Sequence, residues 1–263
     1  MNPSEVHVPV QNMLGIPICS MTMDEVLALI DRAIADRGRL QIGVVNAAKI
    51  VNMRRDEVLR NDVMSSDIIL PDGTSVVWAS RILWRPLPER VAGIDLMMGM
   101  LRRGNENRYR IYCLGATDDV LEKTTARIAA DYPSVQLVGW HNGYFTTEQE
   151  PAIADEIIAA KPDILLVAMS SPKKEKFLAR WNDRLDVPVC HGVGGSFDVM
   201  AGKVQRAPDR WQRLGFEWLY RLLQEPRRLW RRYLVTNTLF CGMVLQEYLR
   251  GIPGQLKKKF ERA

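Results

Sequence analysis

The residues of this chain best placed to do chemistry sit just after its short apolar runs. Asn46 follows Val44-Val45, and Asp72-Gly73 follows Ile68-Ile69-Leu70-Pro71. Two larger blocks, Ser170-Ser171-Pro172-Lys173-Lys174-Glu175 and His191-Gly192-Val193-Gly194-Gly195-Ser196, follow the runs that end at Met169 and Cys190. Small residues at such places leave backbone N–H groups at helix starts free to face a phosphate. The Gly192-Val193-Gly194-Gly195 run lacks the third glycine and the downstream acid of a dinucleotide fingerprint, so taken alone it reads equally well as a tight turn.

A second kind of chemistry is concentrated at the carboxyl end. Residues 201–263 hold fourteen Lys or Arg and five Asp or Glu, a net of +9, whereas the other 200 residues carry 22 and 26, a net of −4; the overall +5 belongs to the tail. There Trp211, Trp218, Tyr220, Trp230 and Tyr233 are interleaved with Arg206, Arg210, Arg213, Arg221, Arg227, Arg228, Arg231 and Arg232. Nucleic acid or an anionic membrane surface would each suit that mixture, and arginines that only solvate a terminal helix are the plain alternative. The clusters Leu239-Phe240 and Met243-Val244-Leu245 and the ending Leu256-Lys257-Lys258-Lys259-Phe260 are greasier than a nucleic-acid groove needs. They favour the membrane, and nucleic acid is not expected as a partner. Each Lys or Arg near an anionic leaflet contributes about 1 kcal/mol, enough in sum for peripheral attachment.

These residues need a scaffold, and the chain is long enough to supply one. With 263 residues, 47% of them apolar and 25% charged, it can bury a core without disulfides or a structural metal. Cys19, Cys113, Cys190 and Cys241 lie far apart in apolar runs, which predicts buried, reduced thiols and no zinc cluster. The amino terminus, MNPSEVHVPV, lacks the basic start and long apolar stretch of an export signal, so a cytoplasmic location is expected. The longest apolar segment, 234–249, is broken by Asn237, Gln246 and Glu247 and is too short to span a bilayer.

Thr22-Met23-Asp24-Glu25 is a capping box, and Val26, Leu27, Leu29, Ile30 and Ile34 follow helical spacing, which predicts a helix over 21–38. Strands are expected at 40–45, 68–70, 110–114, 135–138, 163–169 and 187–190, with helices at 47–59 and 118–131 and others before and between the last two strands. Continuous apolar strands alternating with helices predict an α/β fold, a Rossmann-like parallel sheet with helices on both faces. The expected division is an α/β domain over 1–204 and a helical, basic appendage over 205–263. In such sheets ligands sit at the carboxyl ends of the strands.

Several blocks together resemble a known family. Pro71-Asp72-Gly73, Leu87-Pro88-Glu89-Arg90-Val91-Ala92-Gly93-Ile94-Asp95-Leu96, Ser171-Pro172-Lys173-Lys174-Glu175, Gly192-Val193-Gly194-Gly195-Ser196-Phe197-Asp198, Arg206-Ala207-Pro208, Gly215-Phe216-Glu217-Trp218-Leu219-Tyr220-Arg221-Leu222 and Glu225-Pro226 occur in the order found in the WecG/TagA/CpsF glycosyltransferases, family 26. The resemblance implies inverting transfer from a UDP-sugar to a sugar on a polyprenyl diphosphate, at the cytoplasmic face of the bacterial inner membrane. It implies Asp72 as catalytic base and Arg90 in the active site. It also implies that Arg221, Arg228 and Arg231 of the appendage meet the lipid diphosphate, and that family members can form homo-oligomers.

An inverting transfer needs a base for the acceptor hydroxyl and a clamp for the departing UDP. Asp72 at a strand end suits the first task, although a carboxylate there could instead cap the helix from Thr74. The chain has no Asp-x-Asp triplet, so neither metal nor cofactor is expected, and activity should survive a chelator. The clamp then falls to arginines and to the Gly194-Gly195-Ser196 turn. Asp198 could orient that turn or bind ribose. Asp95 could hold sugar hydroxyls or start a helix. His191 could touch the nucleotide or be structural. For Trp78 and Trp84 core packing is favoured over stacking on sugar.

Asn46 and Lys174 complete the expected substrate-binding set, and each stands in a block that departs from a family pattern. Val44-Val45-Asn46 stands where members that transfer N-acetylmannosamine often show Thr-x-Asn, and Pro172-Lys173-Lys174-Glu175 where they often show Pro-x-Gln-Glu. Lys174 in place of glutamine resembles the GumM-like branch of xanthan and acetan glucosyltransferases. The resulting expectation is β-1,4 transfer of glucose onto glucosyl-diphosphoundecaprenol in exopolysaccharide synthesis. The alternative is transfer of N-acetylmannosamine, or its uronate, onto N-acetylglucosaminyl-diphosphoundecaprenol.

Overall fold

The computed structural model describes residues 8–260; the side chains of Asp209, Arg213, Arg228 and 252–260 lie outside that description, as do residues 1–7 and 261–263. A six-stranded, wholly parallel sheet forms the centre, in the order β4-β3-β8-β7-β5-β6. Its strands are β3 (Leu40–Val45), β4 (Ile68–Pro71), β5 (Arg110–Gly115), β6 (Gln136–His141), β7 (Ile164–Ala168) and β8 (Val189–Gly192). The α/β expectation is met, with each strand within a few residues of its expected place.

Strand side chains alternate between two faces, and each face has its own core. Ile42, Leu70, Ile111, Leu166 and Val189 point to one side, against α1 (Met23–Ala35), α5 (Gly93–Asn107), α6 (Asp118–Asp131) and α9 (Ser196–Met200). Val45 and Ile69 point to the other, against α2 (Ala47–Met53), α3 (Glu57–Met64) and α4 (Thr74–Ile82). Leu114, Leu165 and Cys190 share that second side with α7 (Glu150–Ala160) and α8 (Lys173–Leu185). The capping box is formed: Thr22 caps α1 and Glu25 returns the bond to the Thr22 N–H.

Three local expectations are corrected. The single helix expected over 47–59 is two helices, because Asp56 accepts from the Leu59 N–H and starts α3 afresh. Residues 10–19 form a hairpin, β1 (Val10–Met13) and β2 (Ile16–Cys19), that no pattern anticipated. Its two-residue turn puts Leu14 at φ 52° and Gly15 at φ 73°, the left-handed pair that suits strand twist. Cys241 is exposed, unlike the three other cysteines.

Beyond α9 come α10 (Asp209–Arg213), α11 (Glu217–Gln224) and the long α12 (Pro226–Phe260). On α12, Phe240 and Val244 are buried in the same apolar cluster as the hairpin and α2. Glu247 accepts from the Leu14 N–H at 2.7 Å and pairs with Arg85, which pins α12 to the hairpin and to the end of α4. No helix among the described residues is long and apolar enough to cross a membrane.

Candidate active site

A cleft of roughly 370 Å³ opens at the carboxyl ends of β3 and β4, between them and helices α11 and α12. Asn46, Asp72, Arg90, Arg221 and Arg232 all line it. Asp72 is the residue after β4, and its backbone N–H still pairs with Val45 O at 2.9 Å, so the sheet itself fixes its position. One carboxylate oxygen accepts from the Gly93 N–H at 3.0 Å, and the other from Asn46 Nδ2 at 3.3 Å. Capping of α4 by Asp72 is therefore excluded here. Gly73 is the N-cap of α4 and makes no side-chain bond, while Asp72 serves the first N–H of α5. Asn46 caps α2 through Oδ1, which accepts from the Lys49 N–H and turns the amide nitrogen toward Asp72.

Two carboxylates and three arginines form a continuous ladder along one wall. Arg206 meets Asp95 at 2.7 Å, Asp95 meets Arg90 at 3.3 Å, Arg90 meets Glu217 at 3.0 Å and Glu217 meets Arg221 at 3.0 Å. The ladder ties the start of α5 to α11, so Glu217 fastens the basic tail to the sheet domain. Asp95 sits in the first turn of α5 and its oxygens are taken by Arg90 and Arg206. Arg232 also lines the cleft, and its described contact is with the Tyr233 ring, 5.3 Å away. Gly215 (φ 77°) lets the loop before α11 lie against α4: a Cβ there would stand 2.6 Å from the Thr74 side chain.

Other expected residues lie elsewhere. Lys174 is buried beneath the cleft and donates to Gly192 O at 3.2 Å; burial, then Lys49, lowers its pKa to about 8. Lys49 pairs with Glu175 at 2.7 Å, both buried; burial raises the Glu175 pKa, but Lys49 and Lys174 outweigh it and hold the carboxyl low. The Gly194-Gly195-Ser196 turn is not part of the cleft lining. Within it the Gly194 N–H donates to Val167 O, and the Ser196 N–H and Oγ both donate to Val193 O. Asp198 lies with that turn, 3.9 Å from Lys203. His191 is fully buried and its Nε2 stands 3.2 Å from Gly93 O; burial lowers its pKa to about 4, so it is a neutral structural imidazole.

Arg231 is exposed on α12 outside the cleft lining, and the side chain of Arg228 lies outside the described residues. Glu217 and Arg232 line the cleft although sequence reasoning singled out neither for it, and so does Trp78, for which core packing was favoured over stacking on sugar. Neither Trp78 nor Trp84 packs in the core: they are 47% and 65% exposed. Helical spacing held the signal for Arg232. Leu229, Tyr233, Phe240 and Val244 recur at intervals of four or seven residues and mark the inward face, which lies nearer Arg232 than Arg231.

A cleft with one carboxylate held by two donors, walled by guanidinium groups, can take a proton from a hydroxyl and receive an anion beside it. The model of the glycosyl transferase WecG/TagA/CpsF family matches residues 11–253. Two curated relatives bear the name N-acetylglucosaminyldiphosphoundecaprenol N-acetyl-beta-D-mannosaminyltransferase. The one from Bacillus spizizenii is 39% identical over 196 residues, covering 73% of this chain and 75% of the relative. The one from Bacillus subtilis is 39% identical over 174 residues, covering 66% and 67%.

Proposed function

Because this chain belongs to the WecG/TagA/CpsF family of glycosyl transferases, we propose that it moves N-acetylmannosamine from a UDP donor to N-acetylglucosaminyl-diphosphoundecaprenol. The observation that carries the reading is the cleft that Asp72 shares with Arg90, Arg221 and Arg232. Asp72 takes the proton of the acceptor hydroxyl while that oxygen attacks the anomeric carbon. The bond to the UDP oxygen breaks, the configuration inverts, Arg90 balances the charge that develops on the leaving diphosphate, and Arg221 and Arg232 seat the diphosphate of the lipid-linked acceptor. Bonds to Gly93 and Asn46 hold the carboxylate with one oxygen toward each donor, which limits its motion during the transfer.

The glucosyl expectation rested on Lys174, which is buried outside the cleft lining, and both relatives carry the N-acetylmannosaminyl name. Those two facts support the alternative over xanthan-type glucosyl transfer. Peripheral attachment of α11 and α12 to an anionic membrane is supported by exposed Trp218, Leu223, Trp230, Leu234 and Leu239 amid arginines. A panel of UDP-sugars with a lipid-linked N-acetylglucosamine acceptor tests the reading. Product is expected with UDP-N-acetylmannosamine; product from UDP-glucose alone would refute it.

A further inference from the structure

Helices α4 and α12 both border the cleft. Trp78 of α4 and Cys241 of α12 both line the cleft, and just beyond the end of α4 Arg85 is paired with Glu247 of α12. One helical turn from Trp78 stands Ile82, 51% exposed, and one turn from Cys241 stands Leu245, 57% exposed. Four exposed, uncharged side chains thus continue the edge of the cleft, Trp78 and Ile82 on α4 and Cys241 and Leu245 on α12. Along α12 the wall changes steadily, from Arg232-Tyr233 through Asn237 to Phe240-Cys241 and then Leu245.

We infer that this α4–α12 groove binds the first isoprene units of the polyprenyl chain, an inference that rests on the lipid-linked acceptor proposed above. The diphosphate seated by Arg221 and Arg232 is esterified to that chain, so the chain must leave from the cationic end. The apolar track is the exit that needs no buried polar group. A sugar would need hydrogen-bonding partners, which Ile82, Cys241 and Leu245 do not supply. From Trp78 to Ile82, where α4 ends, the helical rise is about 6 Å, the reach of about one isoprene unit.

The test is a double variant, Ile82→Ser with Leu245→Ser, neither residue lining the cleft. Two acceptors carry the same sugar diphosphate, one on an undecaprenyl chain in detergent micelles and one on a short alkyl group in water. The expected result is a KM for the undecaprenyl acceptor raised roughly tenfold, from lost apolar contact. Turnover and KM on the short acceptor should stay unchanged, as should the melting temperature. Equal loss on both acceptors, or no change on either, would overturn the inference. So would weaker vesicle binding with an unchanged KM in micelles, which would make the groove a bilayer contact. Failure of the unaltered enzyme to use either acceptor would instead overturn the underlying proposal, and the groove's role with it.

Discussion

Glu217 offers the sharpest test of how the basic tail is coupled to the sheet. Its side chain is 12% exposed and accepts from Arg90 at 3.0 Å and from Arg221 at 3.0 Å. The Arg221 pair is an i,i+4 contact with a half-exposed partner and is worth about 0.3–0.5 kcal/mol. The Arg90 bond is charge-assisted between largely buried groups and is worth about 1.5–3 kcal/mol. Glu217→Gln keeps the shape and one acceptor oxygen but removes the charge, so about 1–2 kcal/mol of α11 docking should be lost. That is a factor of roughly 5–30 in the docking equilibrium constant. Hydrogen exchange of the α11 amides should accelerate by that factor, and kcat/KM should fall as the docked fraction drops. The melting temperature should barely move, since Phe240, Val244 and Glu247 anchor α12 separately. High salt should mimic the change in the unaltered protein. A fall in activity without faster α11 exchange would refute the docking role.

Two further outcomes follow from buried charge. Lys49→Met strands Glu175 with only Lys174, 3.8 Å away, and should cost about 3 kcal/mol, lowering the melting temperature by roughly 6–12 °C; adding Glu175→Gln should recover part of the loss, and an additive double variant would contradict the pairing. His191 binds its proton near pH 4 when folded and near 6.5 when unfolded, so stability should be full above pH 6.5 and fall by about 3 kcal/mol as pH drops to 4; His191→Gln should flatten that slope in denaturant titrations, and an unchanged slope would refute the buried neutral imidazole.

Much of the scaffold was legible because its signals are local. The capping box and spacing of 22–34 specify α1, and the short apolar runs at 111–114 and 164–168, alternating with helices, read as strands covered on both faces. The hairpin at 10–19 was missed because two four-residue strands show too little periodicity, and its turn is half formed by Leu14, a residue that gives no turn signal. Asp72 was legible through its position after β4, but its partners Gly93 and Asn46 come from segments about twenty residues or more away, and only the sheet order brings them together. That Arg232 lines the cleft and Arg231 does not follows from the rotation of α12, which is set by how Phe240 and Val244 pack against the hairpin cluster and not by composition. Lys174 and the glycine turn follow strands as expected but lie outside the cleft lining, where Lys174 Nζ donates to Gly192 O, the Gly194 N–H to Val167 O and Ser196 Oγ to Val193 O.

The measurement that bears most directly on the central claim is the turnover of Asp72→Asn beside its affinity for the UDP-sugar. An asparagine can keep the Gly93 and Asn46 neighbours but cannot take the acceptor's proton. The account predicts a fall in kcat of about 10²- to 10⁴-fold with donor affinity nearly intact. Turnover close to that of the unaltered enzyme would contradict it.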